Sequence, residues 1–208
     1  MSETLVNLAG FIATCIAIEL TPGPNMTYLA IMGATQGRRA GFAAVVGVCT
    51  GLALVGIATA LGLAAVIAQS PLLYQALRWG GVIYLLSLAW DAWRDADADS
   101  EPGSETVVDF GRLFWRGFVT NVLNPKAAVF YVAILPTFVE PTRPLVGQLL
   151  LLSMIYVMIA TGIHAGIVLL ADLARSLSED RQRTLLIRRG LALVLAGVAV
   201  WFAYGTRQ

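Results

Sequence analysis

The sequence predicts an all-α polytopic membrane protein with six transmembrane helices. We expect them to form two inverted three-helix repeats in which helices 1 and 4 are broken. Three observations predict this fold: the apolar composition, the number of apolar runs, and a proline-containing interruption in the first and fourth runs. Hydrophobic residues make up 58% of the 208 residues, charged residues make up 13%, and the mean hydropathy is +0.75. Because soluble domains carry about 25% charged residues, this chain is predicted to lie in a lipid bilayer.

Six apolar runs approach or exceed the length of about 20 residues that crosses the hydrocarbon core. They cover residues 5–33, 42–68, 72–92, 114–138, 145–171 and 190–205, of which the last is the shortest. No basic segment with a small-residue cleavage site precedes the first run, so we expect it to stay in the mature protein rather than to act as a signal peptide. The runs leave little room for a soluble domain.

Arginines are distributed unequally between the two predicted sides of the membrane. Ten lie in or beside loops 1–2, 3–4 and 5–6, and three lie on the opposite side. Lys and Arg residues in short loops favour the cytoplasm. We therefore expect loops 1–2, 3–4 and 5–6, which are the odd-numbered loops, to be cytoplasmic and both termini to be periplasmic. The ten are Arg38, Arg39, Arg94, Arg112, Arg116, Arg175, Arg181, Arg183, Arg188 and Arg189, and the three are Arg78, Arg143 and Arg207.

An acidic segment divides the chain into two halves. Residues 1–93 are predicted to form the first three-helix repeat, residues 94–113 an acidic cytoplasmic linker, and residues 114–208 the second repeat. The linker is rich in Asp, Glu, Ser, Gly and Pro, which is typical of a solvated, flexible connection. Because each half has an odd number of spans, the two halves enter the membrane from opposite sides, as inverted repeats do.

The two interruptions contain prolines and polar residues within otherwise apolar runs. The first reads "ELTPGPNM" at residues 19–26, and the second reads "TNVLNPKA" at residues 120–127. A proline removes a backbone N–H and leaves carbonyl groups without helical partners. Such backbone is tolerated within a membrane only where protein buries it or where it lines a polar cavity. We therefore expect the two breaks to lie side by side at mid-depth. The candidate binding residues are Glu19, Thr21, Pro22, Gly23, Pro24, Asn25, Asn121, Asn124, Pro125 and Lys126.

A charged residue accompanies each interruption. Glu19 precedes the first break, and Lys126, the only lysine in the chain, lies at the second. Ionisable residues in a membrane are costly and usually face a partner or a pathway. One interpretation is a structural ion pair between two kinked helices. The other is a binding site for a zwitterion, in which Lys126 holds a carboxylate while Glu19 alternates between an ammonium group and a proton.

His164 is the only histidine and lies in the fifth run within "GIHAG". It can relay protons together with Glu19, or it can form a hydrogen bond to a neighbouring helix. The glycines at 162 and 166, like Gly47 and Gly51 in the second run, have a spacing typical of close helix packing, either within one chain or in a homodimer.

Several classes of function are disfavoured by the sequence. A net charge of +1 argues against nucleic acid as a partner. Cys15 and Cys49 lie in apolar runs without metal-ligand spacing, so we expect neither a metal site nor a cofactor. The sequence lacks HExxH, GxSxG and phosphate-loop motifs. Two alternatives stay open: a passive membrane scaffold, and an intramembrane enzyme built from Glu19, His164, Thr21, Ser153 and Tyr156.

Three segments resemble the lysine-exporter (LysE) superfamily, in its homoserine/threonine-exporter (RhtB) branch: "TPGPNM", "RWGGVIYLLSLAWDAW" and "NVLNPKAAVFY". The resemblance covers essentially the whole chain in length, span count and motif order. It implies an efflux protein of the cell inner membrane, a transporter and not an enzyme. The expected substrate is an amino acid or a close derivative, exported by an antiport that the proton gradient drives. The resemblance does not identify the substrate.

Overall fold

The computed structural model describes residues 2–62, 70–97, 109–140, 142–176, 186, 189–197 and 199–200, and within these ranges all regular structure is helical. The all-α prediction is therefore confirmed. The helices are α1 Ser2–Leu20, α2 Pro24–Ala60, α3 Pro71–Asp97, α4 Phe110–Val122, α5 Pro125–Val129 and α6 Leu145–Ser176. A π-helical turn, Phe130–Ile134, and a 3₁₀ turn, Leu135–Phe138, follow α5 directly. Residues 189–197 are also helical.

Two helices in the described ranges, α2 and α6, are long and apolar enough to cross a membrane. A third span is added if α4 and the segment Pro125–Phe138, which are bent by 47° relative to each other, are counted as one. The predicted third run, residues 72–92, lies within α3. Residues 190–197 and 199–200 of the predicted sixth run are described and helical, whereas the end of that run and most of the acidic linker lie outside the described residues. The count of six spans therefore stays a prediction.

The chain leaves helical conformation at both predicted interruptions. Helix α1 ends at Leu20 and α2 begins at Pro24, while α4 ends at Val122 and α5 begins at Pro125. A proline is favourable as the first residue of a helix, because its missing N–H would have no partner there and its φ angle is already helical. The Asn124 side chain caps the second restart by accepting a hydrogen bond from the backbone N–H of Lys126 at 3.0 Å. The sequence thus specifies both restarts locally.

The loop expected between the first two runs is replaced by a kink at Gly37. Helical structure continues on both sides of this residue, so Arg38 and Arg39 are helical. Gly37 has a φ angle of 82°, which favours glycine. A Cβ atom at this position would also lie 2.8 Å from Nη2 of Arg175. The predicted loop is wrong, because the single residue Gly37 makes the change in helix direction that we had assigned to a longer connection.

Helix α2 packs along both α4 and α6, and small residues allow the close approach. A Cβ atom at Gly47 would overlap the carbonyl oxygen of Phe114, and one at Gly117 would overlap that of Ala44. In the part of α2 before the kink, a Cβ at Gly33 would lie 2.8 Å from the carbonyl oxygen of Val168 in α6. These glycines let the backbones of the three helices touch.

Within the described part of this chain, no close contact is made at the glycines of "GIHAG". A Cβ atom at Gly162 or Gly166 would meet no atom within 4 Å in the part of the chain that the structure describes. The spacing does not reveal which face of a helix its neighbours occupy, and packing of these glycines in a homodimer stays a prediction.

Gly47→Ala is expected to destabilise the protein by about 1–3 kcal/mol, because the added methyl group meets main-chain atoms that cannot rotate away. Gly80→Ala is the matched control, since a Cβ there meets nothing within 4 Å among the described residues. Alanine favours helix over glycine, so the control is expected to be neutral or stabilising by up to about 1 kcal/mol. Thermal unfolding of the purified variants in detergent measures both effects. Equal melting temperatures for the two variants would contradict the packing described here.

Candidate functional site

The two interruptions contact each other through reciprocal hydrogen bonds. The ammonium of Lys126, the second residue of α5, donates to the carbonyl oxygen of Thr21 at 2.9 Å and to that of Glu19 at 3.4 Å. The amide Nδ2 of Asn25, the second residue of α2, donates to Oδ1 of Asn121 at 2.8 Å. The first turn of each restarted helix therefore contacts the end of the helix that precedes the other interruption.

The position of Lys126 follows from the chemistry of a helix end. The last carbonyl groups of α1 have no partner within the helix, and the C-terminus of a helix carries partial negative charge. A lysine ammonium donates hydrogen bonds to these carbonyl groups and also places a positive charge at this end of the helix. Its stem passes directly over Gly23, since a Cβ atom on that glycine would lie 3.4 Å from Cδ of Lys126. The first interruption thus provides both the acceptors for the lysine and the space for its side chain.

Glu19 is deeply buried and has partners from two other helices. Its side chain is 4% exposed. Oε1 accepts a hydrogen bond from the Tyr156 hydroxyl at 2.5 Å, and Oε2 lies 3.2 Å from Nε2 of His164 and 3.7 Å from Nζ of Lys126. A buried carboxylate is tolerated only with such partners. The eight residues between Tyr156 and His164 place both on one face of α6.

The two charged side chains are held by different sets of partners. The closest acceptor of the Lys126 ammonium is the main-chain oxygen of Thr21, at 2.9 Å, rather than the Glu19 carboxylate, at 3.7 Å. The carboxylate in turn is closer to Tyr156 and His164 than to the lysine. In addition, 17% of the Lys126 side chain is exposed, against 4% of the Glu19 side chain. Lys126 is therefore the more accessible of the two charged groups.

Aromatic rings fix the tyrosine that binds Glu19. Phe130, in the π-helical turn, stacks on Tyr156 with ring centroids 3.7 Å apart. Tyr131 meets Tyr156 edge-on at 5.6 Å and donates its own hydroxyl to the carbonyl oxygen of Leu52 at 2.9 Å. Contacts of this kind restrict ring rotation. The irregular segment after α5 therefore orients the Tyr156 hydroxyl toward Glu19.

The structure places the predicted residues in three environments. Thr21 and Pro22 are exposed; Gly23, Pro24, Asn25, Asn121 and Asn124 are buried; Pro125 and Lys126 are partly buried. The hydroxyl of Thr21 donates within its own helix to Ala17, so only its carbonyl joins the cluster. The side chain of Asn124 is occupied by the cap of α5. His164 lies against Glu19, which is compatible with either role considered for it.

Sequence reasoning missed two contributors to this site. Tyr156 entered only as a member of a hypothetical enzyme site, although its spacing from His164 was a usable signal. The carbonyl of Thr21 carries no sequence signal beyond the interruption itself. In the described ranges, no three His, Cys, Asp or Glu side chains lie close enough together to hold a metal ion. Cys15 and Cys49 are both free thiols.

The family model for the LysE type translocator matches residues 16–206. The chain belongs to the LysE family. Among relatives of this LysE-family chain, a homoserine/homoserine lactone efflux protein of Salmonella typhimurium is 29% identical over 162 residues, which cover 78% of this chain and 79% of the relative. A leucine efflux protein of Salmonella choleraesuis is 32% identical over 144 residues, covering 69% and 68%.

An uncharacterized membrane protein of Vibrio cholerae is 30% identical to the LysE-family chain over 161 residues, covering 77% of this chain and 78% of the relative. No solved structure shows significant similarity to it. The names of the relatives agree with the homoserine/threonine-exporter branch that the sequence motifs resemble. Family and relatives together point to a transporter rather than an enzyme.

Proposed function

We propose that the protein exports an amino acid or a close derivative across the cell inner membrane in exchange for protons. The observation that carries this proposal is the buried cluster of Glu19 and Lys126 at the contact between the two helix interruptions. Membership of the LysE family and the efflux functions named for its relatives support it. Leucine and homoserine are the first substrates to test, because relatives are named for them.

Lys126 binds the substrate carboxylate in this proposal. Its ammonium is a compact charge with rotatable donors, and its side chain is the more exposed of the two. The carboxylate replaces the carbonyl oxygen of Thr21 as the acceptor, so the lysine exchanges one partner for another and is not left unpaired. The end of α1 is released in the same step.

Glu19 binds either the substrate ammonium or a proton. The ammonium and carboxylate groups of an amino acid are attached to the same α-carbon. The groups proposed to bind them are also close, with Nζ of Lys126 3.7 Å from Oε2 of Glu19. Burial favours the neutral form of a carboxylate, whereas nearby cations and hydrogen-bond donors favour the charged form. A carboxylate between these influences can exchange protons. Competition between proton and substrate for one site produces antiport.

An architecture of two inverted repeats, residues 1–93 and 114–208 joined by the acidic linker, completes the proposal. The reciprocal bonds from Lys126 and Asn25 support it, because each interruption uses the same position of its restarted helix to contact the other. The 47° bend between α4 and the following segment also supports it, as broken helices commonly carry the binding sites of such transporters.

Transport of radiolabelled leucine and homoserine into inverted membrane vesicles tests the function. Accumulation that depends on a proton gradient, acid inside, and that is absent from vesicles lacking the protein, is the expected result. Chemical conversion of the substrate would instead identify an enzyme. If the vesicles neither accumulate nor convert any amino acid, only the scaffold alternative remains.

Topology is tested with single cysteines in a chain whose Cys15 and Cys49 are replaced by alanine. Ser104→Cys, in the predicted cytoplasmic linker, is expected to resist an impermeant maleimide applied to intact cells, whereas Thr142→Cys is expected to react. In inverted vesicles the two results are expected to exchange. Reaction of Ser104→Cys in intact cells would overturn the orientation predicted from the arginines.

A further inference from the structure

A second pair of opposite charges lies apart from the Glu19–Lys126 cluster. Nη2 of Arg116 in α4 is 2.5 Å from Oδ2 of Asp91 in α3, and the two side chains are 21% and 37% exposed. Both residues lie toward the ends of these helices that the arginine distribution predicts to be cytoplasmic. The pair is therefore positioned on the side from which an exported substrate arrives.

Two hydroxyl groups bind the main chain of Arg116 rather than its guanidinium. The hydroxyls of Tyr84 and Thr120 donate to the carbonyl oxygen of Arg116, at 3.1 and 2.6 Å. Tyr28 lies one turn after Asn25 on α2, and the Asn25 side chain contacts Asn121 of α4 at 2.8 Å. Tyr28 is only 2% exposed, yet its hydroxyl has no hydrogen-bond partner among the described residues.

More unpaired polar atoms lie where the start of α2 meets α4. Oδ1 of Asn25 is one turn before Tyr28 on α2, and Nδ2 of Asn121 follows Thr120 on α4; both are buried and lack partners within the described ranges. These atoms belong to the pair of asparagines that joins the two interruptions. Leaving buried polar groups unpaired opposes folding. Their position suggests that they serve a ligand rather than the fold.

We propose that Arg116 and Asp91 form an outer binding site for the zwitterionic substrate, which then passes Tyr28, Asn25 and Asn121 to reach Lys126 and Glu19. This inference rests on the proposed export function. The guanidinium fork of Arg116 matches a carboxylate, and Asp91 accepts an ammonium group. A zwitterion that inserts between them replaces one ion pair with two, so neither side chain is left unpaired. A purely structural pair joining α3 to α4 would leave the unpaired Tyr28 hydroxyl unexplained.

Kinetics in inverted vesicles with labelled leucine and homoserine test the outer site. Asp91→Asn is expected to raise the KM by about five-fold, the upper range for a partly exposed charge contact, with little change in maximal rate. Glu140→Gln is the matched control, because Glu140 forms a comparable ion pair with Arg143 at 2.8 Å outside the proposed path. Its KM is expected to stay unchanged.

The charge exchange Asp91→Arg/Arg116→Asp separates a role in substrate binding from a role in stabilising the contact between α3 and α4. It preserves an ion pair between α3 and α4 but reverses the positions of the charges. A melting temperature close to that of the wild type together with a raised KM is the expected result. If both the melting temperature and the KM return to wild-type values, the pair is only structural and the outer site is refuted.

Tyr28→Phe tests the path with a variant that removes no hydrogen bond among the described residues. Its melting temperature is expected to be unchanged or higher, while its maximal export rate falls. An unchanged rate would refute the role of Tyr28. Wild-type vesicles separate the two proposals: without wild-type accumulation the export function fails, whereas accumulation by the wild type with an unaltered KM in Asp91→Asn refutes the outer site alone.

Discussion

Glu19→Gln is expected to reduce proton-driven net accumulation in inverted vesicles to the level of vesicles without the protein. The amide can still accept the hydrogen bond of Tyr156, so the local packing survives, but it cannot take up a proton or carry charge. Exchange of labelled for unlabelled substrate, which needs no proton movement, is expected to persist in part. The variant thus separates substrate movement from proton coupling.

Glu19→Asp provides the control, since it keeps a carboxylate on a shorter side chain and is expected to retain gradient dependence at a lower rate. Melting temperatures show whether loss of activity reflects loss of fold. Gradient-driven accumulation by Glu19→Gln at the wild-type level would exclude Glu19 as the proton-binding group.

Lys126→Ala is expected to abolish substrate binding and therefore both accumulation and exchange. Lys126→Arg is expected to be poor as well, because a planar guanidinium fork does not replace a compact ammonium in contact with the end of a helix. Removal of one partner from a buried ion pair costs about 3–5 kcal/mol when the other charge is left alone. Here Glu19 keeps Tyr156 and His164, at 2.5 and 3.2 Å, so we expect a smaller loss of stability.

The double variant Glu19→Gln/Lys126→Met removes both charges and decides between the two interpretations of the pair. Stability close to wild type without exchange is the expected outcome, measured by thermal unfolding and by counterflow of labelled leucine. Recovery of both stability and transport would show that the pair only joins two helices, and the proposed mechanism would be wrong.

The helix interruptions were predictable because their cause is local. A proline lacks its N–H wherever the rest of the chain lies, so the starts of α2 at Pro24 and α5 at Pro125 follow from the sequence. The absence of a loop around Arg38 was not predictable from hydropathy. Charged residues mark a boundary between apolar runs, but they do not show whether the backbone there forms a loop or a kink at one glycine.

The site was predictable in part for a different reason. Charges are rare in apolar runs, so Glu19 and Lys126 were conspicuous. The sequence analysis could therefore propose that the two side chains lie close together. Tyr156 was less conspicuous, because most of the α6 sequence around it is apolar and only its spacing from Ser153 and His164 marks the face that meets α1. Its contact with Glu19 depends on tertiary packing.

The acceptors of Lys126 have a consequence for the tolerance of this segment to substitution. The 2.9 Å bond from Lys126 ends on the main-chain oxygen of residue 21, and the side chain of Thr21 is exposed and turned back to its own helix. No amino-acid replacement removes a carbonyl group. A saturation mutagenesis scan would therefore score position 21 as widely replaceable, although it supplies the closest contact of the lysine. The position of this carbonyl group depends instead on the residues that set the backbone path, Pro22, Gly23 and Pro24, and we expect substitutions there to be tolerated less well.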